Sequence, residues 1–505
     1  MLARATAATP WGIDARPIQV EVDVHAGLPQ MQIVGLPDTA VRESRERVRA
    51  AIKNCGFRLP PRAVTINLAP ADVRKVGNHL DLAIALALLA AHEQIPQEAL
   101  EGRLFCGELG LDGGTRPIRG SLAIADLARR IASRELFLPQ ACAAEGAALR
   151  GVPVIGVEGL AQALDHLLGR TTLIPVTEPA LSIPDPEPGP DLLDVRGQEA
   201  AKRALEIAAA GGHNLLFIGP PGSGKTMLAR RLPGLLPPLS REEALEVTKI
   251  HSIALDLPCA GLVSQRPFRA PHHGISNAGM IGGGAGVPGP GEITLAHRGV
   301  LFLDELPEFQ RGALEALRQP LEEGHVMLAR AYARLRFPAR FQLLAAMNPC
   351  PCGHLGDERH ECECSPLRIQ RYRARISGPL LDRIDMHVEV PAVPIRQLQE
   401  APTGTSTAQA VERILSARQH QTQRTAGRVN ADLTPQEIET HCALDKAGQA
   451  LLETAFDRLG LSARALHRIQ RVARTIADLQ DDGSLRTVHL AEAIGYRTLD
   501  RRMAD

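Results

Sequence analysis

The segment Gly219-Pro220-Pro221-Gly222-Ser223-Gly224-Lys225-Thr226 constrains this chain more than any other. It fits G-x-x-x-x-G-K-[ST] at every fixed position, follows the apolar run Leu215-Leu216-Phe217-Ile218, and opens a helical pattern ending near Pro233. A strand, a glycine loop and a helix in that order belong to an α/β fold built on a buried parallel sheet. The runs Val300-Leu301-Phe302-Leu303 and Phe341 to Met347 supply further buried strands. In such a loop backbone N–H groups wrap the phosphates of ATP. Lys225 brings charge to the β and γ oxygens, the Thr226 hydroxyl ligates Mg²⁺, and the helix start adds its positive dipole end. The alternative is a glycine-rich loop without a nucleotide.

Asp304 and Glu305 follow the second apolar run directly, at the carboxyl end of a strand, where open α/β sheets bind ligands. Asp304 is expected to hold Mg²⁺ and Glu305 to orient and polarise the attacking water. Adjacent acids after a strand are usually solvated, but a complete phosphate loop in the same chain favours the catalytic reading. Asn348 ends the next strand. Its amide either fixes that water, contacts the γ-phosphate, or serves only as a turn residue.

The 505 residues suit about three domains. An α/β domain is expected over 1–170, a Pro-rich linker over 171–192 around LSIPDPEPGP (181–190), a parallel-sheet domain over 193–394 and a helical lid over 395–505. Lys+Arg 57 balance Asp+Glu 57, so a polyanionic partner must be held by a local basic surface. The longest apolar run, Leu82 to Ala91, is too short for a bilayer, and Met1 to Pro10 lacks a signal-peptide core, so a cytoplasmic protein without membrane contact is expected. Nine cysteines, an odd count, argue against a secreted disulfide framework.

Cys350, Cys352, Cys362 and Cys364 form two C-x-C pairs beside His354 and His360. Four thiolates suit tetrahedral Zn²⁺ in a structural knuckle, although C-x-C is tighter than the usual spacing and leaves open whether all four bind. Cys55, Cys106, Cys142, Cys259 and Cys442 read as buried thiols. Arg330, Arg334, Arg336 and Arg340 fall without an acid in VMLARAYARLRFPARF, a hairpin pattern. They either contact the phosphates of DNA, or are solvated, or pack on a neighbouring subunit. With 3% aromatic residues no extensive base-stacking platform is expected, so binding should be backbone-directed. The insert holding Pro271-His272-His273-Gly274 and the glycine-rich stretch Gly279 to Gly291 reads as a mobile pore loop or a passive surface loop, since a packed core would not use so much glycine.

The segments GPPGSGKT, FRAPHHGISNAGMIGGG, PGEITLAHRGVLFLDELPEF, AAMNPCPCG and SGPLLDRIDMHVEV resemble the YifB/ComM family of magnesium-chelatase-like AAA+ ATPases across nearly the whole chain. The resemblance implies a ring, a homohexamer, with an arginine of one subunit reaching the γ-phosphate held by its neighbour. Arg383 occupies the finger position, with Arg375 a second choice, and Arg464 that of the lid arginine that senses nucleotide. For either Arg383 or Arg464 alone, a solvated helix face is the alternative. The amino-terminal third resembles the Lon protease domain through GNHLDLAIALAL and GELGLDGGTRPIRGSL. It carries His79 at the nucleophile position and Ala123 at the general-base position, so a scaffold or DNA-guiding collar is expected. Ser121 or Lys75 would substitute only with a shifted alignment. The activity implied is ATP-driven DNA translocation or unwinding in the branch migration of recombination during natural transformation, alongside recombination proteins. The alternatives are a metal-chelatase motor, for which no D-x-S-x-S segment is present, and an ATP-regulated scaffold.

Overall fold

The computed structural model describes residues 2–176, 189–254, 262–284, 287–330, 333–357, 360–399 and 404–497. Leu2–Trp11 and Asp14–His25 pair antiparallel and turn at Gly12 with φ 68°, where a side chain would be strained. Ile18, Val20, Val22 and Val24 alternate inward along the second strand, so one face is buried and the other wet. The seven-stranded sheet runs Gln30–Val34, Ala63–Ala69, Asp14–His25, Leu2–Trp11, Arg103–Phe105, Glu135–Pro139, Val154–Val157. Asp14–His25 and Gln30–Val34, consecutive in sequence, flank Ala63–Ala69 instead of pairing with each other. Helix Asp81–Ala91 is buried at every position, which its unbroken apolar sequence after Asp81 allows.

The second sheet has five strands, in the order Phe268–Arg269, Val300–Leu303, Gln342–Met347, Leu215–Ile218, Met386–Glu389, all parallel. Its central strands are buried throughout and apolar except for Gln342, because helices cover both faces. One edge of this sheet therefore gathers Gly219, Asp304 and Asn348, each just after its strand. The carboxy-terminal helices Thr407–Thr425, Pro435–His441, Lys446–Leu459, Ala463–Leu479 and Thr487–Gly495 fall in the region expected to be helical. Helix Ala463–Leu479 packs on Glu199–Gly211, sharing its apolar core with the sheet.

Two elements join the amino-terminal domain to the second sheet. Helix Arg241–Ala254 docks through Ser252, whose hydroxyl accepts the Gly120 N–H (3.1 Å), and Lys249, which reaches Asp14 (2.6 Å) and Asp126 (3.2 Å). The hairpin His325–Arg330/Ala333–Pro338 sets Leu335 against Gly12, where a Cβ would stand 3.3 Å from it. Of the expected linker, 177–188 lies outside the described residues. Among the described residues no helix is long and apolar enough to cross a membrane.

Candidate functional site: a phosphate loop at the sheet edge

The loop 219–226 leaves strand Leu215–Ile218 and enters helix Lys225–Ala229 with Gly222 and Gly224 at φ 74° and 92°. No heavy atom lies within 4 Å of where a Cβ would stand at either glycine, so the loop is open on that side. The buried Ser223 hydroxyl has no partner among the described residues. Lys225 Nζ donates to the carbonyls of Gly219 and Pro220 (both 2.8 Å) and to Asn348 Oδ1 (3.3 Å). Burial pushes the Lys225 ammonium below the usual lysine range, and the carboxylates of Asp304 and Glu305 oppose that shift. An ammonium so poorly hydrated gains from a phosphate oxygen. The open, polar loop therefore fits a triphosphate.

The Thr226 hydroxyl donates to Asp304 Oδ2 (2.7 Å), and the Glu305 amide donates to Asp304 Oδ1 (3.0 Å). This close oxygen pair fits Mg²⁺, which prefers hard ligands. Glu305 has φ 53° and ψ 46°, a left-handed conformation rare for this residue type, and its side chain is 54% exposed. Its carboxylate pairs with His273, with Nδ1 to Oε2 at 3.0 Å. His273 was not legible as a site residue. Its only signal was the motif Pro271-His272-His273-Gly274 within the insert.

The described part of the insert carries regular elements. Helix Asn277–Ile281 buries Met280, and Gly282–Gly283 pairs with Gly289–Pro290. Some of its glycines permit close backbone approach, since a Cβ on Gly291 would stand 2.3 Å from Gly282 N.

Arg383 and the phosphate loop lie at opposite edges of the sheet. Arg383 precedes strand Met386–Glu389, and its carbonyl accepts from Asn214, which precedes Leu215–Ile218, whereas the loop follows that strand. A strand of this length separates them by about 13 Å. The guanidinium reaches Glu322 and the Pro379 carbonyl and lines a cavity of about 740 Å³ with Arg266, Arg298, Arg340, Arg468 and Arg471. Arg375 instead pairs with Glu308 (2.6 Å), three residues beyond Glu305. Arg464 is exposed near the start of helix Ala463–Leu479, one turn before Arg468 on the same stripe, and Arg468 pairs with Asp385 (3.4 Å) on the Arg383 edge.

On the hairpin Val326, Leu328, Leu335 and Phe337 are buried, so Arg334 and Arg336 share the exposed face. The Arg330 side chain lies outside the described residues. Arg340 is not on the hairpin: Pro338 ends the strand, and Arg340 turns into the cavity beside Arg383.

The sulfurs of Cys350, Cys352 and Cys362 are 3.3, 3.6 and 3.7 Å apart, and Cys364 joins them within 4.8 Å. Zn–S bonds of about 2.3 Å give a tetrahedral edge of about 3.8 Å, so this cluster fits Zn²⁺. His354 and His360 pair instead with Asp357 (3.4 and 3.0 Å). The cluster abuts the phosphate loop: a Cβ on Gly353 would stand 2.6 Å from Pro221 Cδ. Cys106, Cys142 and Cys442 are buried and Cys55 half-buried, while Cys259 lies outside the described residues.

In the amino-terminal domain His79 is buried, with Nε2 lacking a partner among the described residues, and Ala123 is buried in helix Ser121–Arg130. The Ser121 hydroxyl donates to the Ile118 carbonyl and Lys75 Nζ to that of Pro70, both deep in the core.

Comparison with known proteins agrees with this architecture. The family described as magnesium chelatase, subunit ChlI, matches residues 191–398, a second model for subunit ChlI of Mg-chelatase matches 20–142, and its C-terminal model matches 404–497. The protein YifB of Salmonella typhimurium is 47% identical over 97% of this chain and 96% of its own length. Competence protein ComM of Haemophilus influenzae is 45% identical over 97% and 96%. Lon protease 2 of Bacillus subtilis is 31% identical over 28% of this chain and 26% of its own length. With a Lon-like α/β domain, a parallel-sheet ATPase domain and a helical carboxy-terminal region matched in order, the chain belongs to the YifB/ComM family of magnesium-chelatase-like AAA+ ATPases.

Proposed function

We propose that this protein is an ATP-driven DNA translocase or helicase that promotes branch migration in recombination, during natural transformation, as a cytoplasmic homohexameric ring. The observation that carries the ring is the opposite-edge arrangement of Arg383 and the phosphate loop. An arginine that far from its own loop serves a phosphate only when a second copy presents one. DNA as the polymer is supported by the exposed Arg334 and Arg336 and by a relative that carries the name competence protein. Histidine at position 79 and alanine at position 123, both buried, favour a collar over a protease for the amino-terminal domain.

In this reading the backbone of Gly219 to Thr226 cradles the triphosphate, and Lys225 exchanges its carbonyl and Asn348 contacts for the β and γ oxygens. Thr226 and Asp304 would hold Mg²⁺, which would supply positive charge against the phosphate oxygens. Glu305 accepts the proton of the attacking water, Asn348 fixes that water or the γ-phosphate, Arg383 of the neighbouring subunit stabilises the transition state, and Arg464 is the lid arginine that senses the nucleotide. Cys350, Cys352, Cys362 and Cys364 hold Zn²⁺ as a structural knuckle.

Purified protein should unwind forked DNA with ATP and Mg²⁺, and single-stranded DNA should stimulate its hydrolysis severalfold. Hydrolysis indifferent to DNA, with no strand displaced, would refute the DNA reading and favour a chelatase-type motor, as the family description suggests, or an ATP-regulated scaffold.

A further inference from the structure

His354, Asp357 and His360 form a second cluster of ligand-type side chains beside the four cysteines. Among the described residues only these two groups bring three or more His, Cys, Asp or Glu ligand atoms within 4.8 Å of one another. The three residues fall at i, i+3 and i+6 in the loop between Cys352 and Cys362. Asp357 Oδ2 faces both imidazoles, with His354 Nδ1 at 3.4 Å and His360 Nδ1 at 3.0 Å. The two rings lie 4.8 Å apart between centroids and are inclined at 37°.

A separation of 3.4 Å is long for an N–H···O hydrogen bond. Metal–ligand bonds of about 2.0–2.1 Å instead put neighbouring tetrahedral ligands about 3.3 Å apart, between the two distances seen. The Asp357 side chain is only 7% exposed, so its charge is shielded from water and gains from a cation. His360, at 63%, leaves the solvent side of the cluster open. Two imidazoles and one carboxylate suit Zn²⁺, Co²⁺ or Ni²⁺ better than Mg²⁺ or Ca²⁺, which take oxygen ligands. The cysteines do not need these groups, since their four sulfurs make a complete tetrahedral set.

We propose that His354 Nδ1, Asp357 Oδ2 and His360 Nδ1 bind a second divalent cation of the zinc class, with water in the fourth position. The ion clasps the loop between the two C-x-C pairs, next to Gly353 and its packing on Pro221 of the phosphate loop. Neither the DNA reading nor zinc on the cysteines is needed for it.

The test is cobalt stoichiometry and absorption of the full-length protein, free of any affinity tag, prepared with Co²⁺ in place of zinc. Excess Mg²⁺ is kept present so that Thr226 and Asp304 do not take cobalt. Thiolate ligands give an intense near-ultraviolet charge-transfer band, whereas a nitrogen and oxygen set gives only weak visible bands. The wild type should bind two Co²⁺ per chain. His354→Ala/His360→Ala should bind one, with the thiolate band unchanged. Asp357→Ala should weaken the second site more than about 100-fold, because a residue that merely orients a ligand is already worth about 10- to 100-fold. One Co²⁺ in the wild type, carrying the thiolate band, would overturn the second site, and so would two in the double histidine variant. Loss of the thiolate band in that variant would make the histidines supports of the cysteine cluster and overturn the proposal as well. A wild type that binds one ion without a thiolate band, lost in the histidine variant, would uphold this site and refute the zinc knuckle.

Discussion

Replacing Glu305 by glutamine removes a proton acceptor and leaves nearly everything around it in place. The contacts of Lys225 with Gly219, Pro220 and Asn348, and of Thr226 with Asp304, do not pass through the Glu305 side chain. Its amide bond to Asp304 survives the substitution. The carboxylate is 54% exposed and its pair with His273 is a surface one, worth no more than about 1 kcal/mol, so the fold should be unaffected. ATP affinity should be equal or tighter, because one negative charge near a polyanion is lost. Removing a general base costs about 10²- to 10⁴-fold in kcat, or about 3–5 kcal/mol of barrier. Phosphate release measured with saturating ATP, and titration of nucleotide binding by calorimetry, separate the two quantities. A kcat within about threefold of wild type would refute the assignment of Glu305 as base, and an affinity loss beyond tenfold would make it a binding residue instead.

Removing both Arg334 and Arg336 as alanines should weaken single-stranded DNA binding and lower the slope of log affinity against log salt by about 1.4, two phosphate contacts' worth; an unchanged slope would exclude them from the interface. Gly353→Ala, at φ 86° and 2.6 Å from Pro221, should cost about 1–2 kcal/mol in backbone strain and push on the phosphate loop, raising KM for ATP more than it lowers kcat. A KM left at the wild-type value would show the knuckle and the loop to be independent. Burial pushes the imidazoles of His79 and His213 down to about 4, whereas in the unfolded chain they titrate near 6.5. Unfolding thus takes up protons between these values, so stability should be full above pH 6.5 and fall as the pH drops toward 4, by at most about 1.4 kcal/mol per unit for each histidine. Chemical denaturation followed by circular dichroism at pH 7 and pH 5 would reveal it, and equal stabilities would contradict it.

What the sequence disclosed was what short-range pattern carries. The phosphate loop, the strand before Asp304 and the carboxy-terminal helices are each set by a few adjacent residues, and they appear where periodicity and motif put them. What it hid depends on sheet order. His273 meets Glu305 because their strands are neighbours, and Gly353 meets Pro221 because strand Gln342–Met347 lies beside Leu215–Ile218. Arg340 was misplaced by proximity in sequence, since Pro338 closes the strand before it and turns the chain toward the cavity. Glycine in the insert could not decide between its readings: without the partner backbone in view, close packing and mobility have the same composition.

The central claim is that hydrolysis occurs where two subunits meet. Lys225→Ala and Arg383→Ala chains should each be nearly inactive alone, one lacking the lysine of its loop and the other the arginine it lends. Mixed in equal amounts, about a quarter of the interfaces would join an intact loop to an intact arginine. Hydrolysis measured across mixing ratios should therefore rise to a maximum near one to one. No recovery at any ratio, from subunits that still assemble together, would contradict the account.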